Sequence, residues 1–87
     1  MSAADRAVVL RAASRLLEAA ACALEGGVKG KWMAVGLLGV AEDELLAVDQ
    51  AMSLAVRDVR LAFMPSGSPL EEACSALTAL AFKLTPG

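Results

Sequence analysis

The chain has 87 residues, enough for one domain and too few for two. Apolar side chains make up 57% of it and the net charge is −2, which excludes a disordered chain and a polybasic nucleic-acid arm. There is no His, and the two cysteines, Cys22 and Cys74, show no C-x-x-C spacing. A Ser-His or Cys-His catalytic pair, a single-chain zinc site and a disulfide framework are therefore excluded, and no cofactor is expected.

The first helix is expected over Ala3–Glu25. Ser2 is placed to cap it, Asp5 suits the positive end of its dipole, and Gly26-Gly27 ends it. Leu10, Leu17, Ala21 and Leu24 follow one face; Val9, Ala13, Leu16 and Ala20 form an adjoining one. Arg11, Arg15, Glu18 and Glu25 lie opposite, so the apolar arc is wider than packing on a single neighbour requires. Cys22 and Cys74 each lie in an alanine-rich helical stretch and read as buried free thiols.

Gly-Gly-Val-Lys-Gly-Lys over 26–31 reads as a flexible connection, followed by a short helix over 32–38. Gly36 weakens that short helix, because Gly costs ~1 kcal/mol relative to Ala inside a helix. A long helix is expected over 42–63, with Glu42, Asp43 and Glu44 in its first turn, where negative charge is favoured. Leu45, Val48, Met52, Ala55, Val59 and Phe63 make its main apolar face, and Asp49, Ser53, Arg57 and Arg60 its polar side. After the break at Met64-Pro65-Ser66-Gly67, Ser68-Pro69-x-Glu71 supplies a capping box with Pro at the first helical position. The last helix then runs over 69–84. No alternating run is long enough for a strand. The expected fold is all-α: a small three-helix domain with a short helical turn between helices 1 and 2, pairing into a helical-bundle homodimer.

Trp32–Asp49 resembles a helix-turn-helix: Ala34, Leu38, Val40, Leu45 and Val48 fall at the core spacing of that motif, with Gly39 at the turn. Val35 departs from the pattern, standing where a small alanine is usual. The second helix of such a motif would carry Glu42, Asp43, Glu44 and Asp49 and no base, a charge that repels a duplex. A DNA-binding regulator is thus the second reading. The longest uncharged runs are ten residues, so neither a signal peptide nor a membrane span is expected, and the chain reads as cytoplasmic.

The first reading follows from the apolar surplus. So small a domain cannot shelter helix faces this wide, and exposed apolar patches mark interfaces. The chain is expected to be a non-enzymatic protein-binding module: an adaptor, inhibitor or regulatory subunit, of the kind found among phage and mobile-element inhibitors. The interface is expected to use Leu10, Leu17, Leu24, Trp32, Met33, Phe63 and Met64. Glu42, Asp43, Glu44 and Asp49 would flank it as an acidic helix N-terminus facing a partner with a basic surface.

Overall fold

Ser2 opens the fold as expected: its side-chain oxygen accepts from the Asp5 N–H at 3.1 Å and satisfies one of the free donors of the first turn. In the computed structural model, which describes residues 2–63 and 70–85, four helices follow, with no strand among the described residues. They are α1 (Ala3–Glu25), α2 (Gly27–Leu46), α3 (Gln50–Ala62) and α4 (Leu70–Leu84).

Residues 26–31, expected as a flexible connection, are mostly helical. Gly26 closes α1 by donating its N–H to the Cys22 carbonyl at 2.9 Å. Gly27 takes a φ of 59°, left-handed backbone that a residue without Cβ adopts at no steric cost. The chain therefore reverses across a single residue, and α2 starts against the last turn of α1. At Gly30 the two backbones touch: a Cβ there would lie 2.0 Å from the Cys22 carbonyl oxygen. The glycines that argue against a helix by propensity are what allow this one to pack, which is why local composition misleads here.

The short helix over 32–38 and the start of the long one are both parts of α2, which runs unbroken through Gly39. The helix-turn-helix turn at Gly39 is therefore absent. The break comes later, at Ala47–Asp49, and divides the helix expected over 42–63. Val48 and Asp49 donate their N–H groups to the Leu45 carbonyl at 2.9 and 2.8 Å. The Asp49 carboxylate then accepts from Ala51 N (2.9 Å) and Met52 N (3.4 Å), making it the N-cap of α3 rather than a residue on its polar side. α3 ends at Phe63, whose N–H donates to the Arg60 carbonyl. Glu71 and Glu72 in the first turn of α4 and Lys83 in its last complement the helix dipole. The capping box of Ser68 and Pro69 lies outside the described residues.

The helices form a ring, α1 on α2, α2 on α3, α3 on α4 and α4 on α1, measuring 37 × 19 × 18 Å. α1 and α2 are antiparallel: Cys22 meets Gly30 at one end, and Arg11 and Arg15 meet Glu44 toward the other. The diagonal pairs, α1 with α3 and α2 with α4, do not approach each other. The core is thin on the α1 side. Five of the seven buried α1 residues are alanines, Ala12, Ala13, Ala19, Ala20 and Ala23, joined by Val9 and Leu16. Ala34, Leu38, Ala41 and Leu45 of α2, Val56 and Phe63 from the α3 segment, and Ala73, Cys74, Leu77, Ala81 and Leu84 of α4 complete it. Small side chains let the axes come close, and the larger leucines of α1 are left on its flank.

Candidate functional site

Among the described residues, 11 large hydrophobic side chains are exposed, and their distribution defines the surface available for binding. On α1, Leu10, Leu17 and Leu24 repeat every seventh position and form one row about a quarter-turn from the buried alanines. The row borders α4. There Leu24, Cys74, Ser75, Thr78, Ala79 and Phe82 line a shallow groove of about 620 Å³, with Phe82 71% exposed at its rim. Glu71 is the charged group at this groove.

The second apolar surface is the outward side of α2. Val28, Trp32, Met33 and Val40 are all exposed, so between the exposed charges of Lys29 and Asp43 the outward side is apolar as the inward one is. Exposed apolar faces of this kind mark contact surfaces. Trp32 also closes a cleft of about 210 Å³ with Val28, Lys31, Val35 and Phe63. Gly36 and Gly39 lie on this same side, and among the described residues a Cβ on either would meet nothing within 4 Å. A third, smaller patch is Leu54 and Leu61, seven residues apart on α3.

The residues expected to form the interface divide. Leu10, Leu17, Leu24, Trp32 and Met33 are on the surface. Phe63 is not: it is 2% exposed and belongs to the core, because it falls where the end of α3 meets α2. Met64 lies outside the described residues. Leu46, near the end of α2, is exposed, and so are Leu54 and Leu61, which lie across α3 from the buried Val56. Val28, hidden in an expected loop, and Phe82 are exposed as well.

The acidic run is corrected more thoroughly. Glu42, Asp43 and Glu44 stand near the C-terminal end of α2, where the helix dipole disfavours them, and not at a helix N-terminus. Arginines from the neighbouring helices offset that. Arg15 donates to Glu44 in a half-buried ion pair, with Arg11 3.8 Å from the same carboxylate, and Arg60 Nε donates to Glu42 Oε2 at 2.9 Å. Ser53 Oγ adds a hydrogen bond to the Glu42 carbonyl at 2.9 Å. Glu42 and Glu44 thus lock α2 to α3 and α1, and Asp49 caps α3. Asp43 alone of the four points to solvent without a partner among the described residues; Lys29, 14 residues before it, does the same.

Both cysteines are free thiols. Cys74 is buried, with Sγ 3.8 Å from the Ala20 carbonyl, and burial pushes its thiol above the usual range. Cys22 is half-buried beside Gly26 and Gly30. No three Cys, Asp or Glu side chains converge among the described residues, and no buried side-chain nitrogen or oxygen among them lacks a hydrogen-bond partner. No described helix is long and apolar enough to cross a membrane. What the surface offers is apolar contact area on helix faces, not a set of converging polar groups. No protein-family model, curated protein or solved structure matches the chain.

Proposed function

We propose that the chain is a small non-enzymatic protein-binding module, an adaptor, inhibitor or regulatory subunit that works as a homodimer. The observation that carries this reading is the exposure of Leu24 and Phe82 at the groove between α1 and α4 and of Leu10 and Leu17 further along α1, with a separate apolar side on α2. Leaving these side chains in water forgoes roughly 1.5–3 kcal/mol for each that a partner would bury. Extended apolar patches on a small soluble domain are surfaces that other proteins cover.

The α1–α4 groove is suited to an apolar helix of a partner. Ser75, Thr78 and Ala79 in its lining are small enough to admit large side chains, and Leu24 and Phe82 supply apolar contact. Glu42 and Glu44 take no direct part at this groove, since both are held by arginines of the same chain. A DNA-binding reading finds no support, because α2 continues through the residue where the motif needs its turn.

The test has two arms. Sedimentation equilibrium of the wild-type chain is expected to give a dimer at micromolar to millimolar concentration. A solitary 8.9 kDa species across that range, binding no apolar dye, overturns the reading. In the second arm the chain is immobilised and exposed to lysate of its host. Proteins retained by the wild type are expected to be lost with Leu24→Glu and Phe82→Glu, two exposed groove positions whose change leaves the core intact. A retained set indifferent to both substitutions removes the groove from the proposal.

A further inference from the structure

We infer that a second copy of this chain packs on the outward side of α2, antiparallel and centred on Gly36, so that Lys29 of each copy pairs with Asp43 of the other. The inference rests on the homodimer reading above and names the surface that forms it.

The pattern of exposed residues is symmetric about one position. Lys29, Gly36 and Asp43 are spaced by sevens, which on a helix of 3.6 residues per turn keeps them in one row with a drift of only ~20° per step. Trp32 and Met33 flank the row between the first two, and Gly39 and Val40 flank it between the last two. A two-fold axis through Gly36 perpendicular to the helix reverses the order along the row and sets each edge of the row against the same edge of the other copy. Trp32 and Gly39 share one edge and Met33 and Val40 the other. Trp32 then lies against Gly39 of the other copy, Met33 against Val40, Gly36 against itself, and Lys29 against Asp43. Each large side chain meets a smaller one, and each charge meets its opposite. A parallel pairing would instead set Lys29 on Lys29 and Asp43 on Asp43, so the charges select the antiparallel arrangement.

The single-chain structure leaves these residues free for that purpose. Trp32 is 60% and Met33 52% exposed, and neither Lys29 nor Asp43 has an ion-pair partner among the described residues. Gly36 and Gly39 have ordinary helical backbone and open space where a Cβ would be, so nothing among the described residues accounts for glycine at either position. A neighbouring helix across the two-fold axis does: with no side chain at the centre, two axes can approach to the close end of the usual ~8–10 Å range. A seam made of one helix from each copy is smaller than the standard interface of ~800 Å² per partner, which points to a micromolar dimer rather than a permanent one.

Charge exchange tests this without touching the core. Lys29→Asp and Asp43→Lys, each alone, turn two symmetric attractions into two repulsions. Each is expected to raise the dimer dissociation constant on the order of tenfold at low salt. The double variant carrying both changes restores the opposing charges and is expected to return to within about threefold of the wild type. Trp32, the only tryptophan, reports the same event: its emission should shift to the blue as concentration rises through the dissociation constant. Gly36→Gln is expected to weaken the dimer at least tenfold while the helical content of the dilute chain is unchanged. A wild-type dimer whose dissociation constant ignores the single charge changes, or is not rescued by the double change, overturns the α2 seam and leaves the homodimer reading standing. A wild type that stays monomeric at millimolar concentration overturns both.

Discussion

At Gly30 the backbone of α2 lies against that of α1, so that a methyl group there would meet the Cys22 carbonyl oxygen at 2.0 Å. Six residues on, at Gly36, the same methyl would meet nothing within 4 Å. The first glycine is fixed by the chain's own packing, and the second is left over from it. The same contrast separates the two sides of α2. The inward stripe of Gly30, Ala34, Leu38, Ala41 and Leu45 is buried, while Val28, Trp32, Met33 and Val40 on the outward side are exposed. Glycine in a helix has a uniform local cost, so its meaning depends on what stands where its side chain would be.

The largest expected effect that would break this contrast is at the buried end. Gly30→Ala forces the α1–α2 crossing apart and is expected to cost about 2–3 kcal/mol. That is a fall in Tm of roughly 10–20 °C, read by thermal denaturation. A Tm within a few degrees of wild type would mean that the crossing relaxes freely. Next comes Asp49→Ala, which removes the acceptor of Ala51 N and Met52 N and should cost about 1 kcal/mol by chemical denaturation. The effect at Gly36 has the opposite sign. In dilute solution Gly36→Ala is expected to stabilise the chain by up to about 1 kcal/mol, because helix propensity improves and nothing is displaced. A loss of stability there would reveal a contact within the chain and erase the distinction between the two glycines.

The smallest effect concerns pH. Burial raises the Cys74 thiol in the folded chain, so folding favours its protonated form. The contribution is fully present below the pKa of the unfolded chain's thiol and is lost as pH rises through the higher folded value. Stability should therefore fall on the alkaline side, and the fall should be shallower in Cys74→Ala. Thiol-reactive reagents should modify half-buried Cys22 before Cys74.

Where signals in the sequence were local, the fold was legible. The Ser2 cap, the length of α1, the end of α4 at Leu84 and the all-helical class all follow from capping chemistry and periodicity. The middle was not, because its signals compete. Glu42-Asp43-Glu44 has the composition of a helix start, but Arg15 and Arg60 from other helices make it tolerable near a helix end. Asp49 has the chemistry of a cap, but an apolar period continuing through Val48 and Met52 concealed the break. Of the candidate surface, the leucine row of α1 and the pair Trp32 and Met33 were visible as surplus apolar area. Which of two adjoining faces of α1 is buried was not visible, since alanine and leucine rows are equally apolar in pattern. The close approach at Gly30 decides in favour of the smaller side chains.

The one-residue link at Gly26 bears on the order in which the molecule assembles. Helices that adjoin in sequence can zip together with very little loop entropy to overcome, so the α1–α2 hairpin is the natural first partner-free step of folding. During synthesis that hairpin is complete once Leu46 has been added, before any of α3 or α4 exists. It would then emerge with the flanks intended for α3 and α4 still bare, and for that interval the nascent chain is at its most adhesive.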